Sequence, residues 1–254
     1  APQVATFGLY ARGFRAPLYD EINSGFANFS TFPPYRTIPN PDLKAETSNG
    51  FELGFRGSFP RGKFSISGFY NDYDNFIESL VQVSGPGVFP IVFQTQNVSK
   101  ARIYGLEASG EYRFSAKENG FSVFASLAYT VGDDLTKDIP LKTIDPFKAV
   151  LGLRYRAVKN KWGAELYTTV VASPRVPITT TQPNPFVPSA YATVDLIGYY
   201  NVTDNLTLNA GLFNLLDSKY FQYSDVRNLN QGSARVERFA QPGINVGINL
   251  SWRF

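Results

Sequence analysis

Apolar and polar residues alternate with period two along most of this 254-residue chain. Between Tyr104 and Phe114, one side carries Tyr104, Leu106, Ala108, Gly110, Tyr112 and Phe114; the other carries Gly105, Glu107, Ser109, Glu111 and Arg113. The closing segment is cleaner still, with Ile244, Val246, Ile248, Leu250, Trp252 and Phe254 against Asn245, Gly247, Asn249, Ser251 and Arg253. Successive side chains of a strand point to opposite faces, so this period predicts strands with one apolar and one polar face. Helical periodicity is nearly absent. The same reading throughout predicts an all-β antiparallel fold of about ten strands. They lie near residues 3–13, 47–58, 63–79, 99–114, 121–131, 146–157, 162–173, 191–202, 206–214 and 241–254.

Segments of about nine to twelve residues suit strands that cross a bilayer at a tilt. The connections alternate in length. Short polar turns fall at Pro60-Arg61-Gly62, Ser115–Gly120, Lys159-Asn160-Lys161 and Thr203-Asp204-Asn205, and long connections at 14–46, 80–98, 132–145, 174–190 and 215–240. Short turns at one end and long loops at the other are the organisation of a transmembrane β-barrel in an outer membrane. Aromatic residues gather near strand ends (Tyr112, Phe114, Tyr129, Phe147, Tyr155, Trp162, Trp252, Phe254), as interfacial girdles do. The alternative is a water-soluble sandwich, with the apolar face packed on a second sheet. Phe51, Leu53 and Phe55 alternating with Glu52 and Arg56, together with the regular loop pattern, favour the membrane. No linker divides the chain, so residues 1–254 read as one barrel portion.

The connection after the first strand, within Gly13–Thr47, is far longer than a hairpin needs. Loops beyond about 12–15 residues are commonly functional or disordered. This one carries Phe14, Tyr19, Phe26, Phe29, Phe32 and Tyr35, and disordered segments are poor in aromatics. It reads as a binding loop, with Phe14, Arg15, Tyr19, Phe26, Tyr35, Asn40 and Asp42 as the candidate ligand-binding residues. Pro17 and Pro41 stiffen its two ends. Arg15 is placed to pair with Asp42 or Glu46 across the loop base or to meet an anionic ligand, while Asp20 and Glu21 read as solvated. Asp133 and Asp134 read as a turn rather than a cation site. The polar face holds Glu52, Arg56, Glu107, Glu111, Arg113, Arg154, Glu165 and Asp195, expected to form cross-strand pairs along a polar interior or to touch a plug. The charged, aromatic stretch 215–240 fits either ligand recognition or a solvated loop.

Composition removes whole classes of chemistry. The chain contains no His and no Cys, which excludes Ser-His-Asp and Cys-His catalysis, His-ligated zinc and thiolate sites within it. No catalytic or metal-ligating set is expected. A net charge of +3 with no basic run gives no reason to expect nucleic acid. No apolar stretch approaches the length of a membrane-crossing helix. No signal peptide opens the chain, so it reads as mature or as a fragment.

Four places carry a specific resemblance. Phe14-Arg15-Ala16-Pro17 pairs with Asn40-Pro41-Asp42-Leu43 around the first loop; residues 97–107 read NVSKARIYGLE; residues 211–220 read GLFNLLDSKY; and the end reads PGINVGINLSWRF. Together they resemble the C-terminal barrel portion of a TonB-dependent outer-membrane receptor of the haem/haemoglobin or siderophore branch. The resemblance implies uptake of an iron carrier, haem or a ferric siderophore, captured by extracellular loops, with no resident cofactor. It implies the bacterial outer membrane, and as partners the membrane lipid, the plug, the N-terminal strands of a barrel of about 22, and the inner-membrane TonB system reached through the plug. Haem receptors of this branch place a His between the two boxes; here Tyr19 and Tyr35 are the residues able to ligate haem iron. A stand-alone ten-stranded barrel acting as an adhesin or binding protein is the alternative function. The terminal Trp252–Phe254 resembles a barrel-assembly signal.

Overall fold

The computed structural model describes residues 3–85, 87–179 and 182–253; Phe254, with its expected assembly role, lies outside them. Ten strands follow one another in a single antiparallel meander: β1 (Gln3–Arg15), β4 (Glu46–Phe59), β5 (Gly62–Gln82), β6 (Ile91–Arg113), β7 (Gly120–Asp134), β9 (Lys148–Arg156), β10 (Trp162–Val171), β11 (Tyr191–Asn201), β12 (Leu206–Phe213) and β13 (Asn245–Trp252). Three short strands, β2 (Ala27–Asn28), β3 (Tyr35–Ile38) and β8 (Ile139–Pro140), join the sheet at the long-loop end. Among the described residues β1 and β13 do not pair with each other, so the sheet they form is open. This removes the closed ten-stranded barrel on which the stand-alone alternative rested.

Register turns the alternation into two continuous faces. Phe51 lies opposite Tyr70, Tyr70 opposite Tyr104, Leu106 opposite Tyr129, Leu153 opposite Leu166, and Leu208 opposite Leu250. These rows are exposed, Leu53, Leu151, Ile248 and Leu250 among them, and no second sheet covers them among the described residues. The sandwich is thereby excluded, because an apolar face this large is incompatible with water. Two aromatic bands border it. Near the short turns lie Phe59–Phe64, Tyr112–Phe114 and Phe121–Tyr155–Trp162, and at the other end Tyr10–Phe51, Tyr70–Tyr104 and Tyr129–Phe147. Tyr104 and Tyr112 are separated by about 26 Å along the strand at ~3.3 Å per residue, close to the height of a lipid-facing apolar band. Just beyond the upper band, on the same face, Arg102 pairs with Asp72 at 3.0 Å and Arg175 with Asp133 at 2.8 Å, marking where the apolar strip stops.

The opposite face is polar. Arg154 bridges Glu165 at 2.5 Å and Glu111 at 3.3 Å and lies over the Phe124 ring at 4.8 Å. Arg113 donates to the Pro60 carbonyl, Arg56 sits over Phe7, and Asp195 accepts the Asn214 N–H at 2.7 Å. The expected cross-strand pairing thus holds at Arg154; the other charges bind backbone or rings, and Glu52 and Glu107 form no ion pair among the described residues.

Candidate functional site

The site is built on an arm that the alternation only partly announces. β5 pairs with β4 as far as Asp74, and β6 pairs with β7 only from Ala101 onward, yet β5 and β6 continue together to Gln82 and Phe93. Residues expected to form a connection at 80–98 therefore extend the hairpin, and among the described residues only 83–85 and 87–90 lie beyond its strands. The register slips between Glu78 and Val81, where Leu80 adopts a positive φ of 59° and its side chain stands exposed. The tip is closed by the Val83 N–H on the Val92 carbonyl at 2.8 Å and by the Ser84 hydroxyl, which accepts from the Val92 N–H.

The long first loop folds onto this arm. It contains a short helix, α1 (Tyr19–Asn23), and β3, which pairs in parallel with Ile91–Gln94 of β6. Tyr35 lies beside Ile91, and β2 adds a further edge through Ala27 and Asn28. Side-chain bonds to the backbone lock the assembly: Asn40 Nδ2 donates to the Thr95 carbonyl at 2.8 Å, Gln94 Nε2 to the Pro39 carbonyl at 2.8 Å, and Asn97 Nδ2 to the carbonyls of Lys44 and Asn75. Such bonds satisfy backbone groups that an irregular loop would leave open.

The loop base is an ionic clamp. Arg15 donates to Glu21 at 2.9 Å and to Glu46 at 3.2 Å, and Glu46 Oε2 also accepts the Ile77 N–H. Glu46 was one of two expected partners. Asp42 is not; it is exposed, and its N–H donates to Asn40 Oδ1 within the turn. Glu21, expected to be solvated, is the closer partner instead, because α1 brings it back over Arg15. Burial disfavours its charged form, but the Leu18 N–H and Arg15 outweigh that and hold its carboxyl below the ordinary range.

The remaining expected residues separate by role. Tyr19 stands in solvent, 79% exposed, at the start of α1. Tyr35 is wedged between Phe26 and Phe93, with ring centroids at 6.2 and 6.1 Å. Phe14 is exposed on the lipid-facing side of β1, away from that cluster. Asn40 is a scaffold residue. Sequence reasoning missed the pair Phe32 and Phe89, stacked at 6.4 Å, which joins the loop to the hairpin tip. Ser84-Gly85-Pro86-Gly87 between two apolar runs was the available signal, since such a cluster reads as a hairpin turn.

The other long connections form a packed cap. In residues 214–244 a short helix, α2 (Tyr223–Val226), buries Tyr223 and Val226, and Val236 joins them. Lys142 donates to Gln182 at 2.6 Å, and Gln182 donates to the Leu229 carbonyl, tying three loops together. Burial, helped by Arg227, lowers the Lys142 pKa. Tyr191 stacks on Tyr220 at 4.2 Å, and Phe186 meets Phe221 edge-on. The stretch 215–240 is therefore anchored by the buried Tyr223, Val226 and Val236, while most of its charged side chains are exposed. Asp134 accepts the N–H groups of Thr136 and Lys137, the turn role expected of it. Among the described residues no group of three or more acidic, His or Cys side chains is disposed to hold a metal.

Three comparisons bear on this geometry. A family model described as TonB dependent receptor-like, beta-barrel, matches residues 1–215. The chain is 28% identical to hemoglobin-haptoglobin utilization protein B of Neisseria meningitidis, over 96% of its own length and 35% of that protein's. It is likewise 28% identical to probable hemoglobin and hemoglobin-haptoglobin-binding protein 4 of Haemophilus influenzae, over 96% of its length and 27% of the other's. Among solved structures, the copper transporter OprC superposes with a TM-score of 0.80 at 25% identity, covering 99% of this chain and 38% of that one. A variant of the ferric enterobactin receptor of Pseudomonas aeruginosa gives 0.73 at 24% identity, with 99% and 38% covered. The chain spans about a third of the length of the relatives it matches.

Proposed function

Because the chain belongs to the TonB-dependent receptor β-barrel family, we propose that it is the ligand-capturing barrel portion of an outer-membrane receptor for an iron carrier. One observation carries this: an aromatic, strand-paired arm raised at the long-loop end of a sheet whose outer face is apolar and exposed. In this reading the short turns face the periplasm and the arm faces outward. The polar inner face meets a plug supplied by the rest of the receptor, and the TonB system moves that plug from the inner membrane. The work done is binding and release, with no bond of the carrier broken. The names of the relatives favour haem, delivered by haemoglobin, as the cargo. Copper is disfavoured for these residues, since the chain has no Cys, Met or His to offer a soft metal. Tyr19 is the residue free to approach haem iron, whereas Tyr35 is committed to ring packing.

Titrating the complete purified receptor with haemin, haemoglobin and ferric enterobactin tests the reading. Haem or haemoglobin binding with haem-dependent growth of cells carrying the receptor supports it; binding of none of the three overturns it. A Soret band that is unchanged in Tyr19→Phe removes tyrosine ligation while leaving the uptake role intact.

A further inference from the structure

The short-turn end of the sheet has a charge imbalance that the rest of the chain lacks. Residues 60–63, 113–119, 156–161, 203–205 and 253 hold eight basic side chains and only two acidic ones, Glu118 and Asp204. The remainder of the sequence holds sixteen basic and nineteen acidic residues. Arg61, Lys117, Lys159, Lys161 and Arg253 are exposed at or beside the turns, while Lys63, Arg113 and Arg156 flank them on the polar face. None of the eight joins an ion pair among the described residues. Glu111, the next acidic side chain along that wall, is already paired with Arg154. The other end of the apolar strip is different. There Arg12, Asp72, Arg102 and Asp133 follow one another in register through Asn49, and Lys100 lies opposite Asp74, so the signs are mixed.

We propose that the basic row at the short turns binds the phosphate headgroups of anionic phospholipids in the leaflet those turns face. The proposal rests on the outer-membrane barrel reading above, with the short turns at the periplasmic side. Position selects the occupant. The cations stand directly beyond the aromatic band of Phe59–Phe64, Tyr112–Phe114 and Tyr155–Trp162, and Lys161 Nζ lies 5.1 Å over the exposed ring of Tyr200. Such rings sit at headgroup level, so the charges beside them meet phosphates. The turns are also too tight to carry the charges away. Phe59 and Gly62 pair across Pro60 and Arg61. Adjacent connections are tied to one another: the Arg113 N–H donates to the Arg61 carbonyl at 2.6 Å, the Asn201 N–H to the Lys161 carbonyl at 2.9 Å, and the Arg253 N–H to the Asn205 carbonyl at 2.9 Å. Neighbouring turns lie two strands apart, about 10 Å at ~4.8 Å per strand. The cations therefore follow the line of the bilayer instead of converging on one patch, which favours lipid over an acidic protein segment. Clusters of about four to eight Lys and Arg at a membrane surface attract anionic headgroups, with roughly a fivefold gain for each residue.

The test reconstitutes the complete receptor in vesicles of equimolar phosphatidylglycerol and phosphatidylcholine. The phospholipid that stays with the protein on extraction into mild detergent is then counted by native mass spectrometry. Phosphatidylglycerol is expected to be retained in preference, and the preference to fall as NaCl rises from about 0.05 to about 0.5 M, because screening acts on exposed charges. Arg61→Gln/Lys117→Gln/Lys159→Asn is expected to lower it by about fivefold or more; Asn suits position 159, where φ is 56°. Arg12→Gln/Lys100→Gln, at the other end of the strip, is expected to leave it unchanged. Each variant is taken from its heat-stable, assembled fraction. Equal retention of the two lipids by the wild type overturns the proposal, as does an equal loss in the Arg12/Lys100 variant. An unchanged preference in the triple variant overturns it too, and leaves the row to an acidic protein surface. Haemin, haemoglobin and ferric enterobactin titrated into the same vesicles read the uptake role separately. Cargo binding without headgroup preference overturns this inference alone, and headgroup preference without cargo binding overturns the uptake reading alone.

Discussion

Arg15 donates to Glu21 and Glu46 at once, and both carboxylates are mostly withdrawn from solvent. Removing the cation leaves two half-buried charges facing each other, so Arg15→Met is expected to cost about 1–3 kcal/mol in local stability. The loss is read as faster proteolysis of residues 16–45. The pH dependence follows from the Glu21 shift. Its folded pKa lies below the ordinary carboxyl value of 4.5, so its contribution is complete above that value and is lost as the pH falls through it and below. Hydrogen exchange in the first loop is expected to rise across that acid range, and less so in Glu21→Gln. Tyr223 makes the opposite case. It is 4% exposed, its hydroxyl has no hydrogen-bond partner among the described residues, and burial pushes the phenol up to about 12. Tyr223→Phe removes an unsatisfied buried group, so a gain of roughly 0.5–2 kcal/mol is expected, seen as a higher unfolding temperature. A loss would show that the hydroxyl has a partner in solution. Neither Glu21 nor Tyr223 was legible from sequence, because the partner of the first and the burial of the second depend on how a loop folds back.

The barrel strands themselves were readable because period two is a local property: residues 104–113 of β6 or the eight residues of β13 disclose their two faces. Where the elements departed from the expectation, pairing beyond the local pattern was responsible. The slip near Leu80 breaks the alternation of β5, and β3 acquires strand geometry by lying between β2 and Ile91–Gln94. On the inner face, packing is governed by close approach. The Phe124 ring lies directly over Gly152, where a Cβ would overlap it, and the same ring carries Arg154. Gly152→Val is therefore expected to displace the ring and weaken the Arg154–Glu111–Glu165 bridge, costing about 1–3 kcal/mol. Thermal unfolding of the assembled receptor with and without Phe124→Ala measures this, since the smaller neighbour is expected to relieve the clash.

Across the whole molecule, the lipid-facing apolar strip runs from β1 to β13, while among the described residues the outer edges of Gln3–Arg15 and of residues 245–251 have no partner strand. Buried in a bilayer such edges are costly, and in detergent they template pairing with other chains. The 254-residue chain expressed alone is expected to form edge-to-edge oligomers, and light scattering of a purely monomeric species would contradict this. The sequence by itself determined the strands, their two faces, the alternation of short and long connections and the family, because each is written in neighbouring residues. Only the tertiary structure decided that Asn40 is a brace to Thr95, 55 residues away, that Glu21 closes on Arg15, and that Phe32 meets Phe89 at the tip of an arm. Those contacts follow from a register carried strand by strand across the sheet, which no local pattern encodes. The first loop was recognisable as a binding element from its rings; what it lies against, and which of its rings remain free to bind, emerged only from the fold.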